Sequence, residues 1–133
     1  MNDLREYEEL IEMAKAASEN AYAPYSDYAV GADLLTGSGN IYTGCNIENM
    51  SYGAALCAER TAVAKAVSDG ETGFAAIAVY HPGADMPYPC GICRQVLSEF
   101  ARHMLVITVN QTGCEFFNLK ELLPHTFEYD YKK

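Results

Sequence analysis

The apolar run Phe74-Ala75-Ala76-Ile77-Ala78-Val79-Tyr80 is bounded by Gly73 and Pro82. A continuous apolar run of this length between turn residues is typical of a strand that is buried on both of its faces. The run therefore predicts an inner strand of a sheet. Such a sheet needs a covering layer on each side, and helices are the usual cover.

Helix and strand patterns alternate on both sides of this strand. Residues 54–67 are rich in Ala, contain no Gly or Pro, and predict a helix that stops near Gly70. Residues 92–102 predict a second flanking helix, and 105–109 predict another buried strand. The outer elements are predicted as a helix to about Asn20, strands over 28–35, 41–45 and 115–117, and a short helix opened by a capping box at Asn118-Leu119-Lys120-Glu121. The order α-β-β-α-β-α-β-(β)-α predicts one layered α/β sandwich domain over residues 1–133.

The composition excludes several classes of partner. The chain of 133 residues has 9 Lys or Arg against 18 Asp or Glu, a formal net charge of -9. This charge argues against binding to nucleic acid or to an anionic membrane, since both need a basic face. The N-terminus lacks the apolar segment of a signal peptide, and no apolar run approaches the length of a membrane span. We therefore expect a cytoplasmic protein with reduced thiols, and cysteine clusters there more often bind metal or react.

Three of the five cysteines lie where a predicted helix begins. Cys57 stands at the start of the second helix, and Cys90 and Cys93 open the third. Helix N-termini stabilise thiolates, and a C-x-x-C pair with a third thiolate can supply three ligands to one ion. Three protein ligands leave one tetrahedral position of Zn²⁺ open, which is typical of a catalytic site.

Two charged side chains follow Cys57 directly. Glu59 can reach a metal-activated water and the substrate, and can act first as general base and then as general acid. Arg60, together with Arg94, can offset the negative charge of three thiolates by donating hydrogen bonds to sulfur.

Two other classes of protein are compatible with these cysteines. Cys90-Gly91-Ile92-Cys93 is also typical of a redox dithiol or of one half of a structural zinc site. The redox alternative leaves Cys57-Ala58-Glu59 unexplained. The remaining cysteines and histidines lack metal-ligand spacing and are interpreted as apolar fillers, surface residues or caps: Cys45, Cys114, His81, His103 and His125.

Several motifs in one order resemble the small zinc-dependent cytidine deaminases over nearly the whole chain. The matching segments are Ala23-Pro24-Tyr25-Ser26, Val30-Gly31-Ala32, Gly44-Cys45-Asn46-Ile47-Glu48-Asn49, Ser51-Tyr52-Gly53, Cys57-Ala58-Glu59-Arg60-Thr61-Ala62, Pro89-Cys90-Gly91-Ile92-Cys93-Arg94-Gln95-Val96-Leu97, Leu122-Leu123-Pro124 and Phe127. The resemblance implies a three-layer α/β/α sandwich with a mixed five-stranded sheet. It also implies a homotetramer with shared active sites.

The resemblance implies hydrolytic deamination of cytidine and deoxycytidine to uridine and deoxyuridine, with release of ammonia, in pyrimidine salvage. It assigns one Zn²⁺ per chain to Cys57, Cys90 and Cys93, with Arg60 beside the sulfurs and Glu59 as proton shuttle. The residues that it assigns to the substrate are Asn46 and Glu48 at the ribose, Tyr28 beside the base, Tyr52, Ala58, and Phe127 contributed by another subunit. Taken alone, the Asn-x-Glu pair favours a loop that caps its own backbone.

Three residues depart from the family pattern. Tyr28 stands where many relatives have Phe, and its hydroxyl needs a partner. Asp33 interrupts a strand position that is usually apolar, and we expect it either exposed at the sheet edge or paired across an interface. His125 stands where relatives often have a small residue, and we expect it to redirect the C-terminal tail. The Asn46 and Glu48 pair favours a true nucleoside, because related deaminases of nucleoside-like antibiotics tend not to keep it.

Overall fold

In the computed structural model, which describes residues 4–129, five strands and four α-helices follow the predicted order. The strands are β1 (Gly31–Thr36), β2 (Ile41–Cys45), β3 (Phe74–Tyr80), β4 (Leu105–Val109) and β5 (Cys114–Asn118). The helices are α1 (Glu8–Ser18), α2 (Ala58–Ser68), α3 (Gly91–Phe100) and α4 (Leu119–Leu122), with 3₁₀ turns at Leu4–Tyr7 and Tyr52–Ala54.

The strands form one mixed sheet in the order β2-β1-β3-β4-β5. Only β3 and β4 are parallel, with Ile77 opposite Val106, while every other neighbouring pair is antiparallel. The apolar run over 74–80 is therefore the central strand, as predicted. A parallel pair needs a crossover connection, and α3 supplies it between β3 and β4.

Two apolar layers cover the sheet. On one face, Ala62 of α2 and Leu97 of α3 pack with Val79 in one buried cluster. On the other face, Ala14 of α1 packs with Ala78 of the same central strand. The period of two along β3 directs alternate side chains into the two layers. The three-layer α/β/α sandwich is therefore confirmed.

Two glycines let the helices lie directly on the strands. A Cβ at Gly44 of β2 would stand 2.5 Å from the carbonyl oxygen of Ala58, in the first turn of α2. A Cβ at Gly31 of β1 would stand 2.0 Å from the carbonyl oxygen of Ala14. Any larger residue would push α2 or α1 away from the sheet. The glycine at 44 in this way fixes where the first turn of α2 lies.

The two largest differences from the predicted boundaries concern where α2 and β1 begin. The helix α2 begins at Ala58 instead of 54, because Leu56 pairs with Ile47 as an isolated bridge and Cys57 is extended. The strand β1 begins at Gly31 instead of 28. The Asn46 side chain bonds the backbone of the preceding residues and replaces ladder partners there. Both differences arise from contacts between distant segments, which local patterns do not contain.

The expectation for Asp33 is wrong. Its side chain is fully buried on β1, an inner strand, and neither carboxyl oxygen has a hydrogen-bond partner within residues 4–129. Burial raises the pKa of Asp33 to about 7, the charge of Glu9 adds to the rise, and Lys65 opposes it. Ionisation of Asp33 would therefore place an unpaired charge in the interior, which makes the stability of the fold depend on pH.

The C-terminal segment turns after α4. The predicted capping box is present: Lys120 N–H donates to Asn118 Oδ1 at 3.0 Å, and Asn118 N–H donates to Glu121 Oε1 at 2.8 Å. After Pro124, His125 adopts φ 55°, a left-handed conformation in which a side chain is disfavoured. The turn is followed by an ion pair between Glu128 and Arg102, which lies two residues after the end of α3. In the part of the chain that the structure describes, no helix has the length and apolarity to cross a membrane.

Candidate active site

Two helix N-termini meet at the end of the sheet where β3 ends and β1 begins. Cys57 precedes α2 and Cys90 precedes α3, and both have extended backbone with ψ of 156° and 170°. The Cys57 carbonyl accepts from the N–H groups of Arg60 and Thr61, so the helix starts directly at the thiol. The site thus lies at the carboxyl end of a parallel strand, the usual place for ligands in open α/β sheets.

The three predicted ligand cysteines converge on one point. The sulfurs of Cys57, Cys90 and Cys93 all lie within 4.8 Å of one another, and the Cys57 and Cys90 sulfurs are 3.6 Å apart. Sulfurs held about 2.3 Å from a tetrahedral zinc ion lie about 3.8 Å apart. The donor set and its spacing therefore fit one Zn²⁺ with a fourth position left for a non-protein ligand.

The convergence also bears on the redox alternative. A free dithiol would involve Cys90 and Cys93 alone, whereas here Cys57 stands close to Cys90. The Cys57 segment is therefore part of the same cluster.

The thiols of the cluster differ in pKa. Hydrogen bonding from Cys93, and then from Arg60, lowers the pKa of Cys57. The reciprocal bond to Cys57 and burial raise the pKa of Cys93.

The two arginines proposed to compensate the thiolates have different partners. Arg60 Nη2 lies 3.6 Å from the Cys57 sulfur, so its charge faces the cluster. Arg94 instead donates from Nε to the carbonyl of Pro89 and from Nη1 to the carbonyl of Leu122, each at 2.7 Å. These bonds tie α4 to the loop that precedes Cys90. Arg94 therefore acts on the shape of the site and not on the sulfurs.

Glu59 is buried in the wall of the site, with 4% of its surface exposed. Burial is the largest cause that raises the pKa of Glu59 to about 7, and the nearby Cys57 charge raises it further. Its own backbone N–H and then Arg60 lower it. A carboxyl group that titrates near neutral pH can take up a proton and also return it.

A cavity of about 570 Å³ opens above the thiols. This volume is in the range of small-molecule sites. The residues that line it come from five parts of the chain: Ser26, Tyr28, Val30, Asn46, Glu48, Ala55, Leu56, Cys57, Ala58, Glu59, Arg60, Val79, Met86, Pro87, Tyr88 and Cys90. Apart from polar residues such as Asn46, Glu48 and Glu59, the wall is mostly apolar. A flat heterocycle and a polar group attached to it would therefore contact different parts of the wall.

Asn46 and Glu48 lie on the same wall of the cavity, because the intervening Ile47 is held in an extended bridge. The Asn46 side chain accepts from Val30 N–H at 2.9 Å and donates to the Tyr28 carbonyl at 2.7 Å. Glu48 Oε1 accepts from Tyr25 N–H at 2.9 Å. Both side chains therefore bind the backbone of the segment over residues 25–30, and both line the cavity.

The single chain brings some of the other assigned residues to the cavity and leaves two outside. Tyr28 and Ala58 line it. Of the residues that the structure describes, Tyr52 and Phe127 are absent from its wall, and they are 81% and 76% exposed. The ring of Tyr52 meets that of Tyr25 edge to face, with ring centroids 6.4 Å apart. Phe127 lies in the C-terminal tail beside α3.

The sequence analysis missed the contribution of the loop between β3 and α3. Met86, Pro87 and Tyr88 of this loop line the cavity. The Tyr88 hydroxyl donates to Glu115 Oε1 at 2.6 Å, which anchors the loop to β5. Its position after the central strand was an available signal, since loops at the carboxyl ends of parallel strands carry function.

Comparisons with known proteins agree with this geometry. Residues 4–109 match the family described as "Cytidine and deoxycytidylate deaminase zinc-binding region". A cytidine deaminase of Sporosarcina psychrophila is 49% identical over 122 residues, which is 90% of each chain. A probable cytidine deaminase of Dictyostelium discoideum is 40% identical over 94% of this chain and 86% of its own length.

A solved structure supports the same relationship. The crystal structure of cytidine deaminase from Burkholderia pseudomallei superimposes with a TM-score of 0.86 at 46% identity. The match covers 91% of this chain and 98% of that one. The matched family region contains Cys57, Cys90 and Cys93, the same thiols that the fold brings together. With its three-cysteine cluster and its α/β/α sandwich, this chain belongs to the cytidine and deoxycytidylate deaminase family.

Proposed function

We propose that the protein is a zinc-dependent cytidine deaminase that converts cytidine and deoxycytidine to uridine and deoxyuridine in pyrimidine salvage. One observation carries the proposal. The same cavity is lined by Cys57 and Cys90 of the thiol cluster, by the buried Glu59, and by the Asn46 and Glu48 pair. A redox dithiol or a structural zinc site would need neither the buried acid nor the polar pair.

In this reaction water adds to C4 of the cytosine ring, the bond from C4 to the amino nitrogen breaks, and ammonia leaves. Glu59 accepts a proton from the water and passes it to N3 of the ring. It then takes the remaining proton from the new hydroxyl at C4 and delivers it to the amino group, which leaves as ammonia while the C4 oxygen becomes the carbonyl of uridine. A pKa of about 7 suits both directions of transfer. Bound at the three thiolates, Zn²⁺ would supply Lewis acidity that makes the water nucleophilic at neutral pH.

The remaining walls account for recognition of a nucleoside. We infer that Glu48 and Asn46 bind the ribose hydroxyls, for which carboxylate and amide groups are good partners. Ala58 opens α2 at the cavity, and N–H groups in the first turn of a helix lack intrahelical acceptors. Such an N–H can donate to the base. Tyr28 supplies an aromatic wall beside the base.

We further infer that this single domain works as a cytoplasmic homotetramer whose chains share active sites. Support comes from two exposed aromatic residues, since Tyr52 and Phe127 are large and have little cover in one chain. Exposed apolar groups of this kind mark protein interfaces. In the tetramer, Phe127 of one chain would close the cavity of another.

The decrease in ultraviolet absorbance of cytidine on mixing with the zinc-loaded protein tests the proposal directly. We expect turnover of cytidine and deoxycytidine with release of equimolar ammonia. Free cytosine should react poorly, because it lacks the ribose that Asn46 and Glu48 would bind. A cytosine-nucleoside antibiotic is the competing substrate. Faster turnover of the antibiotic than of cytidine would contradict the proposal.

A further inference from the structure

Tyr28 is stacked face to face on the imidazole of His81. The two ring centroids are 3.8 Å apart and the ring planes are inclined by only 9°. Tyr28 lines the cavity, whereas His81 is outside its wall among the described residues. The imidazole therefore lies behind the phenol ring, and it covers the ring face that is turned away from the ligand.

A hydrogen bond holds the imidazole in this position. His81 Nδ1 lies 2.8 Å from the backbone carbonyl oxygen of Ala29. A carbonyl oxygen only accepts, so Nδ1 carries the proton and donates it. The backbone N–H of His81 also donates to Val109 O at 3.0 Å, which fixes the residue to the end of β4. The ring is thereby tied both to the sheet and to the segment that carries Tyr28.

The absence of a side chain at Gly83 leaves space for the His81 imidazole. A Cβ on Gly83 would stand 2.8 Å from His81 Nε2, closer than side-chain atoms normally approach. Gly83 is itself held in place, because its carbonyl accepts from Gln111 N–H at 3.1 Å. The imidazole thus occupies a slot between Tyr28 and Gly83.

The backbone of Tyr28 is fixed by other groups, but its ring is not. Its N–H donates to Ser26 Oγ at 3.1 Å, and its carbonyl accepts from the Asn46 amide. These bonds set the position of the Cα atom and leave the two side-chain torsions free. Within residues 4–129, the stack on His81 is the ring contact that acts on the plane of Tyr28.

We propose that His81 is a positioning residue for substrate recognition: it holds the Tyr28 ring in the plane that forms the base-side wall of the cavity. The inference rests on the proposed cytidine deamination, and it adds a residue to which neither sequence pattern nor family motif assigned a role. The stack supplies the positioning, while the bond to Ala29 keeps the imidazole in its slot.

Two substitutions separate the stack from the hydrogen bond. His81→Asn keeps a donor near the Nδ1 position and removes the ring. His81→Phe keeps the ring and removes the donor. We expect His81→Asn to raise KM for cytidine about three- to tenfold with a smaller change in kcat, since aromatic pairs contribute effects of this size. We expect His81→Phe to keep KM close to that of the parent and to lose mainly thermal stability.

A third variant leaves His81 in place. Gly83→Ala should displace the imidazole and raise KM in the same direction, and it should have no further effect when combined with His81→Asn. Zinc content and kcat are measured alongside, because a merely structural defect would lower the active fraction and leave KM unchanged.

The outcomes distinguish this inference from the proposed function. A parent protein that does not turn over cytidine overturns both. An active parent with the same KM in His81→Asn overturns the positioning role alone, and so does a His81→Phe variant that loses as much affinity as His81→Asn. A raised KM in His81→Asn, rescued in His81→Phe, supports it.

Discussion

The Arg60 guanidinium faces the sulfur of Cys57, with Nη2 and Sγ 3.6 Å apart. Three thiolates on one Zn²⁺ carry a net charge of about -1, which weakens the Lewis acid. A hydrogen bond from a cation draws electron density from the sulfur and offsets this effect. The same contact raises the pKa of Arg60, so the charge persists throughout the neutral range.

Replacing this arginine should therefore affect both the metal and the rate. We expect Arg60→Gln to lose about 10- to 100-fold in zinc affinity or in kcat, the usual cost of removing such a supporting group. Arg60→Lys keeps the charge and should retain part of the activity. Zinc retention against a chelator and steady-state kinetics provide the two measurements. Unchanged values in Arg60→Gln would show that the contact has no function.

The second prediction concerns the buried acid. Glu59→Gln keeps the size of the side chain and removes the exchangeable proton, so kcat should fall by about 10² to 10⁴ while the zinc content stays at one per chain. The matched control is Glu12→Gln, the same change on the exposed face of α1. Its kcat should equal that of the parent. A Glu59→Gln enzyme within about tenfold of the parent would remove the residue from the proton shuttle.

The third prediction separates two roles of Glu48. Its carboxylate accepts hydrogen bonds from the Ser26 hydroxyl and from the N–H groups of Tyr25 and Ser26, and these bonds lower the pKa of Glu48. If the residue binds ribose, Glu48→Ala should raise KM for cytidine strongly and change the melting temperature little.

Asn49→Ala is the comparison for this test, because it removes a bond within the same loop, from Ser51 N–H to Asn49 Oδ1 at 2.9 Å, and leaves the Glu48 carboxylate and the cavity wall in place. We expect it to have a much smaller effect on KM. If both variants lose stability and activity to the same extent, Glu48 serves only to brace the loop.

Much of this molecule follows from local sequence. The central strand over 74–80 follows from an unbroken apolar run, and the thiol cluster from cysteines at the starts of two helices. The stack on His81 could not be predicted, because Tyr28 and His81 are distant in sequence and meet through the antiparallel pairing of β1 and β3. The sequence predicts Asp33 at an exposed edge or an interface, because charged side chains are seldom buried without a partner, whereas the fold buries it on an inner strand.

Asp33 gives the fourth prediction. Its pKa is about 7 in the folded chain and about 3.9 in an unfolded one, so the folded state holds the proton more tightly. Asp33 should therefore contribute most to the free energy of unfolding below about pH 4, where it is protonated in both states. That contribution should be lost progressively as the pH rises to about 7. The upper bound on this loss is about 4 kcal/mol.

Asp33→Asn removes the titration and keeps the shape. Near pH 4 the variant should have a melting temperature close to that of the parent, and near pH 8 it should melt higher, because the parent then carries a buried charge. Melting curves of the two proteins across this range provide the measurement. Parallel pH dependence in both would show that Asp33 does not titrate in the proposed range.

The fifth prediction tests whether chains share their active sites. Phe127 is 76% exposed and lies outside the cavity of its own chain in the described part of the structure. An ion pair between Glu128 and Arg102 fastens its tail to the segment that follows α3. If it closes a neighbouring cavity, Phe127→Ala should lose about tenfold in kcat/KM, as expected for an aromatic residue at the centre of an interface. Zinc content should not change.

Co-expression of Phe127→Ala with Glu59→Gln gives a sharper result. Each variant alone is impaired, but in a mixed oligomer some cavities combine an intact Glu59 from one chain with an intact Phe127 from another. Activity should therefore exceed the average of the two separate variants. Size-exclusion chromatography with two different tags establishes that mixed oligomers have formed. If they have formed and the activity equals that average, each chain completes its own cavity, because no intact pair has been created across the interface.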